Sequence, residues 1–252
     1  MSSHAGDYLT IELMLHFKVH AAKIRFLLDC LHPICEHLSS TTSSAMSEAE
    51  DQHRYNRVLE LDSTIRAFPE PAYEKIEGYE GMTMQRAVAL NSREVGKYLL
   101  SRKSMFTYRF TALLQLHRQW FIEYLSCAIS SESRRPYSVE STVSSCISII
   151  TTVTQLYSSH HEREMCEKFL GFWFNTFSAG VVLGVLLARR GHQQTEEIRR
   201  ANEGLDMVCT LFQRAAAGGS SSGVEFCRKS MVRRDLFSAL VFTNRFLSAA
   251  HS

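Results

Sequence analysis

The titratable residues that could do chemistry in this chain do not form a recognisable site. His160, His161 and Glu162 lie together in the sequence, but neighbouring side chains on a helix point about 100° apart and cannot converge on one metal ion. A solvent-exposed helix start explains them. The chain has no P-loop, nucleophile elbow, zincin pattern or dinucleotide-binding glycine pattern. We therefore expect no catalytic residues, no cofactor and no metal.

The cysteines do not indicate redox or metal chemistry either. Cys30 and Cys35 are five residues apart, which is not the spacing of a Cys-x-x-Cys zinc pair. In apolar helical stripes the thiolate form is disfavoured, so we expect reduced cysteines that act as small hydrophobic core residues. The full set is Cys30, Cys35, Cys127, Cys146, Cys166, Cys209 and Cys227.

The charge balance argues against direct DNA binding. The chain has 28 Lys and Arg against 26 Asp and Glu, a net charge of +2, which is too small for the long-range field of a dedicated nucleic-acid binder. Arginine doublets could contact phosphate, but acidic neighbours dilute them, and favourable interaction with helix dipoles also explains them. The doublets are Arg134-Arg135, Arg189-Arg190, Arg199-Arg200 and Arg233-Arg234.

The composition predicts an all-α fold. Apolar residues make up 45% of the 252 residues, enough for a buried core, and only 4 Pro and 12 Gly punctuate the chain. We expect a compact multi-helix domain of about seven or eight helices. Its predicted parts are an N-terminal helical pair at 1–68, a loop at 69–82, a central helical core at 83–217, a flexible Gly/Ser linker at 218–223 and a C-terminal helix at 224–252.

Caps and breakers predict where individual helices begin and end. Pro33 is predicted to end the first helix, and Ser47-x-x-Glu50 is a capping box that opens the second. Two further helices are expected, at 84–100 and at about 104–130. Thr195 is expected to cap a later helix.

Between 139 and 157 the strand propensity of Thr and Ile conflicts with the spacing of the apolar residues. These residues recur at alternating four- and three-residue steps, which predicts a helix, and we give the period more weight than the propensity. Ser138, two residues after Pro136, is expected to cap this helix. The periodic residues are Val139, Val143, Cys146, Ile150, Val153 and Tyr157.

The stretch 169–188 is a candidate membrane span, because its 20 residues carry no formal charge. Asn175 would be costly in hydrocarbon unless paired, however, and the other apolar helices need a core to pack against. Gly180 and Gly184 would let a neighbouring helix approach closely. We therefore expect a central helix of a soluble core, with a membrane span as the alternative. The N-terminus has no signal-peptide pattern, so we expect an intracellular protein.

Several segments together resemble a known regulatory region. Leu116-His117-Arg118-Gln119-Trp120-Phe121 is followed by Tyr137-Ser138, by Cys146 and by Ala179-Gly180-Val181-Val182-Leu183. This order resembles the regulatory middle homology region of fungal zinc-cluster transcription factors, and the resemblance extends over about 8–190. Gln119 stands where the family usually has Pro, and the six closely spaced cysteines of the family's zinc cluster are missing from the sequence.

The resemblance implies a transcription-regulatory domain in the nucleus. Its partners would be proteins of the transcription machinery or a small effector, and DNA would be contacted only through a domain that this chain does not contain. Homodimerisation is left open, and no membrane contact is expected. Alternatives are a membrane-anchored helical protein and an all-α ligand-binding module. His117 and Arg118 would secure helix packing by hydrogen bonds and a salt bridge. The motif residues with structural roles would be Leu116, His117, Arg118, Trp120, Phe121, Tyr137, Ser138 and Cys146.

Overall fold

The computed structural model describes residues 25–39, 47–69, 93–127, 133–158, 163, 166–218 and 222–229. Of these residues 90% are helical, in eight helices, and no strand occurs among them, which confirms the predicted all-α fold. The chain forms two units, Met1–Ala112 and Leu113–Ser252. The loop predicted at 69–82 lies, apart from Pro69, outside the described residues and stays a prediction.

In the first unit, a π-helical turn at Leu27–Leu31 runs directly into α1, His32–Ser39. The prediction that Pro33 ends this helix is wrong, because the chain stays helical past it. Pro33 directly follows the π-helical turn, so the missing N–H of the proline falls where the regular hydrogen-bond pattern of the helix is already interrupted. A wide π-helical turn is one way in which a helix absorbs an interruption of its regular hydrogen bonds.

Helix α2, Glu48–Ala67, begins at the predicted capping box. The Ser47 backbone N–H donates to Glu50 Oε2 at 2.8 Å, and the Glu50 backbone N–H donates to Ser47 Oγ at 3.3 Å. The two residues thereby satisfy donors that a helix start leaves without partners. The buried side of α2 consists of Tyr55, Val58, Leu61, Asp62 and Ile65.

Helix α3, Arg93–Ser126, is one continuous helix where the sequence predicted two. The predicted break at 101–103 contains neither Pro nor Gly, so nothing there forces the helix to end. Just after this point, the Thr107 hydroxyl donates a hydrogen bond to the Ser104 carbonyl oxygen at 2.8 Å. The boundary between the two units falls inside this helix.

The core of the second unit is built from α4, Pro136–Ser158, α5, Leu170–Arg190, and α6, Glu196–Ala216, each of which packs against the other two. The helix predicted over 139–157 is confirmed, and all six residues of its apolar period are buried. Thr142 and Thr152 donate their hydroxyls to the carbonyls four residues earlier, both at 2.8 Å. These bonds are one way in which a β-branched residue is accommodated in a helix.

The starts of α4 and α6 differ in how well the sequence predicted them. Thr195 caps α6 as expected, and its hydroxyl accepts the backbone N–H of Ile198 at 3.4 Å. Ser138 does not cap α4, because α4 already begins at Pro136. Proline is favoured at a first helical position, since its φ angle is helical and its missing N–H would have no partner there.

Glycines mark the closest approaches within the second unit. A Cβ on Gly180 in α5 would lie 3.2 Å from Val208 Cγ1 of α6. Gly204 in α6 is tighter, because its Cβ would lie 2.3 Å from Ile147 Cδ1 of α4 and 2.7 Å from the Leu183 side chain of α5. Helices α4, α5 and α6 therefore meet at Gly204.

The last helix of the described residues, α7, covers 222–229, and the rest of the C-terminal helix predicted at 224–252 lies outside them. Gly223, which the sequence assigned to a flexible linker, lies instead inside α7 and is buried. A Cβ there would lie 2.2 Å from the Glu167 carbonyl oxygen and 2.3 Å from Trp173 Nε1. Close packing against the start of α5, not flexibility, explains the glycine at this position.

Among the described residues, α5 is the one helix long and apolar enough to cross a membrane. Its most apolar stretch of 18 residues has a mean hydropathy of 1.7, and half of that stretch is buried in the protein. Core helices of soluble proteins meet the same criteria. One side of α5, including Phe172, Trp173 and Leu183, is buried in the unit. Leu170 and Phe174 are exposed on the other side.

Candidate functional site

The motif residues of α3 and α4 meet at a buried junction. His117 Nδ1 of α3 and Ser138 Oγ of α4 share a hydrogen bond at 2.9 Å, and both residues are fully buried. The Tyr137 and His117 rings pack in an edge-to-face arrangement, with centroids 5.7 Å apart and planes at 73°. The two sequence segments that carry the resemblance therefore contact each other.

The first turn of α4 positions this junction. The Ser138 backbone N–H donates to the Arg135 carbonyl at 3.0 Å, and the Ser138 carbonyl accepts from Thr142 Oγ1. With its backbone held in this way, the Ser138 hydroxyl is directed to His117. A buried hydrogen bond of this kind contributes about 1 kcal/mol, but removing one partner costs about 1–3 kcal/mol because the other is left unsatisfied.

The remaining motif residues divide into core and surface. Leu116, Trp120, Phe121 and Cys146 are buried, with Trp120 only 2% exposed. Arg118 is exposed, and among the described residues it has no ion pair. It therefore does not supply the salt bridge predicted from the sequence. The motif acts as a packing surface along α3, and its histidine forms a polar contact with α4.

The buried thiols are poorly suited to nucleophilic chemistry. Burial raises the pKa of Cys146 strongly, raises the pKa of Cys227 to about 12 and raises the pKa of Cys30 to about 11. Because the thiolate is the reactive form, these three thiols are protonated near neutral pH. The part of the chain that the structure describes also contains no group of three His, Cys, Asp or Glu that could hold a metal ion. His160, His161 and Glu162 lie outside it.

A cleft of about 580 Å³ opens beside the junction, and we refer to it as the α3–α6 cleft. It lies where the end of α3, the start of α4, the end of α5 and the start of α6 come together. Its lining residues are Tyr124, Ser133, Pro136, Val139, Leu186, Gln193, Gln194, Thr195, Glu197 and Ile198.

Glu197 is the one charged residue in the part of the lining that the structure describes. Tyr124 donates its hydroxyl to Gln193 Oε1 at 2.9 Å. The pKa of Tyr124 is raised, chiefly by burial, while nearby Arg190 lowers it and the Glu197 carboxylate raises it. The cleft therefore combines one carboxylate with neutral amides and hydroxyls.

Arg190, at the end of α5, supports one wall of the cleft from behind. Its guanidinium lies 4.4 Å from the centre of the Tyr124 ring and donates to the carbonyls of Tyr124 and Cys127, the latter at 3.2 Å. Only 1% of Arg190 is exposed. The arginine thus fixes both the Tyr124 ring and the carbonyls at the end of α3.

The sequence did not predict the cleft. Its lining comes from four separate parts of the chain, and the members that the sequence singled out, Pro136, Val139 and Thr195, were assigned to helix starts and to the core and not to a binding site. Neutral residues such as Ser133, Gln193 and Gln194 follow no motif spacing that would bring them together in a sequence. Only the packing of α3, α4, α5 and α6 makes them neighbours.

Comparisons of this chain with family models, with curated proteins and with solved structures found no match.

Proposed function

We propose that this chain is a transcription-regulatory helical domain that acts by binding a protein partner or a small effector, with no catalysis and no DNA contact of its own. The proposed location is the nucleus. The resemblance to the fungal zinc-cluster factors is the source of the transcriptional role, and the contact between His117 and Ser138 is the observation that supports it best. His117 and Ser138 are 21 positions apart in the chain and form one buried polar contact. Two sequence segments that belong to one structural motif need such a contact between them.

The buried junction and the cleft support a regulatory role in different ways. The junction fixes α3 against α4, because a buried polar pair is costly to separate. The α3–α6 cleft lies beside it and offers room for a molecule of small-ligand size. A molecule bound there would contact the ends of α3, α4, α5 and α6 together, so it can favour one packing of these helices over another.

The arginine doublets support the absence of DNA contact. Arg199 pairs with Glu196 and Glu203 on its own helix, and Arg200 donates to Ser144 Oγ at 3.1 Å. Arg190 is buried against α3. Arg190 is thus withdrawn from the surface, and Arg199, although exposed, is already paired with carboxylates, which leaves fewer unneutralised cations for phosphate.

A reporter experiment tests the proposed function. The full 252-residue chain is fused to a heterologous DNA-binding domain in a fungal cell, and transcription from the matching promoter is measured. We expect a several-fold change relative to the DNA-binding domain alone. His117→Ala should shift this output, because it removes the buried hydrogen bond between α3 and α4, whereas Arg118→Ala, at the exposed neighbouring position, should not.

Circular dichroism and protein abundance are measured for all variants, so that loss of fold is not mistaken for loss of regulation. If the fusion is folded and abundant but transcription equals that of the DNA-binding domain alone, the transcriptional role is wrong.

A further inference from the structure

We propose that the α3–α6 cleft is the effector site of this domain and that it takes a small amphipathic amine, with the ammonium group at Glu197 and the apolar part against the helix ends. The regulatory role of the site rests on the proposed function, whereas its ligand chemistry rests on the cleft alone.

The apolar part of the ligand is accommodated by Pro136, Val139, Leu186 and Ile198, which line the cleft from three different helices. A volume of about 580 Å³ lies within the usual range of small-molecule pockets, roughly 300–1,000 Å³. Apolar lining with a few polar groups that fix orientation is the usual composition of such pockets.

Glu197 determines the preferred charge of the ligand. Among the described residues that line the cleft it is the one charged group, so a ligand anion would meet a carboxylate and, within that part of the lining, no cation. Arg190, the nearby guanidinium, is directed at the carbonyls of Tyr124 and Cys127. Gln193 Oε1 accepts from Tyr124, which holds that amide in place at the edge of the site.

The helix starts at the cleft do not reverse this preference. A helix N-terminus attracts anions through its free N–H groups. Pro136 has no N–H to offer at the start of α4, and Thr195 already accepts the N–H of Ile198 at the start of α6. Glu196 and Glu197 add negative charge to that same first turn.

The test uses three probes of one shape and different charge: phenylbutylamine, phenylbutanol and phenylbutyrate. Their binding to the purified full-length chain is measured by titration calorimetry at low salt. We expect the amine to bind most tightly and the carboxylate least tightly, with the amine favoured over the alcohol by about fivefold, as expected for one close charge pair in a water-like medium. Glu197→Gln should bring the amine and the alcohol to nearly equal affinity.

A pair of matched variants tests the location. Gln194→Trp places a large ring at the rim of the cleft and should weaken amine binding by about tenfold or more. Gln213→Trp makes the same replacement at an exposed position near the other end of α6 and should leave binding unchanged. Thermal melts of both variants show whether the fold is kept.

The inference is overturned if none of the probes binds, if the carboxylate binds as tightly as the amine, or if folded Gln194→Trp binds the amine like the unmodified chain. If the amine binds the cleft but transcription in the reporter experiment does not change, the regulatory role is rejected and the binding site is kept. A transcriptional effect without amine binding would reject the site but keep the regulatory role.

Discussion

Gly204→Ala is the sharpest test of how α4, α5 and α6 pack. The added methyl group would lie 2.3 Å from Ile147 Cδ1 and 2.7 Å from Leu183 Cδ1. Both distances are well inside the ~3.5–4.0 Å of ordinary carbon contact. Both obstructing atoms are ends of flexible side chains, so the helices can relax in part.

The expected magnitude is the difference between two effects. Replacing Gly by Ala inside a helix gains up to about 1 kcal/mol of intrinsic propensity, and overpacking a filled core costs about 1–3 kcal/mol. With two contacts violated, overpacking dominates at Gly204, and we expect a net loss of about 1–2 kcal/mol of unfolding free energy. For a chain of this size, that loss lowers Tm by roughly 2–8 °C.

Gly180→Ala is the matched control, because it makes the same substitution within the same three-helix core. Its methyl group would lie 3.2 Å from Val208 Cγ1, which needs only a small adjustment. The propensity gain then offsets most of the packing cost, so stability should change little. Reversible urea unfolding of both variants gives the comparison. If Gly204→Ala is as stable as Gly180→Ala, the three-helix contact described above is wrong.

Three further predictions concern the core, the thiols and the charge. Trp120→Ala should cost about 3–5 kcal/mol in a reversible melt, because the ring is buried, and a loss below about 1 kcal/mol would contradict its placement. Iodoacetamide at about pH 8 should alkylate the exposed Cys35 and Cys127 before the buried Cys30 and Cys227. The raised pKa of the two buried thiols means that their reactive thiolates form only at higher pH. Mass spectrometry gives the order of alkylation, and equal rates would refute this prediction. Purified protein should show negligible affinity for duplex DNA at physiological salt in a fluorescence-anisotropy titration, whereas tight, steeply salt-dependent binding would overturn the proposed absence of DNA contact.

Local signals predicted the helices well where one physical effect dominates. The capping box at Ser47, the cap at Thr195 and the apolar period of α4 all place helices as the structure has them. In each case the deciding groups lie within a few turns of one another, so the sequence contains the whole interaction.

Predictions failed where the outcome depends on what a residue packs against. Pro33 and Ser138 were assigned from their usual local roles, yet one lies inside a helix and the other bonds to His117. Gly180 was expected to mark a close approach, and it does, but the tighter contact at Gly204 was missed. That the cleft residues come together could not be predicted, because no short-range pattern links them.

The burial of Arg190 has a consequence for the membrane alternative. In a transmembrane helix, a terminal arginine usually extends its side chain to the lipid headgroups and serves as an interfacial anchor. Here the Arg190 guanidinium at the end of α5 turns inward and stacks on the Tyr124 ring. It donates to the carbonyl of Tyr124 in α3 and to the carbonyl of Cys127, which directly follows α3. With that cation committed to the protein, only Arg189 is left at this end of α5 to reach a headgroup layer, and a bilayer would have to break a buried contact to recruit the second arginine.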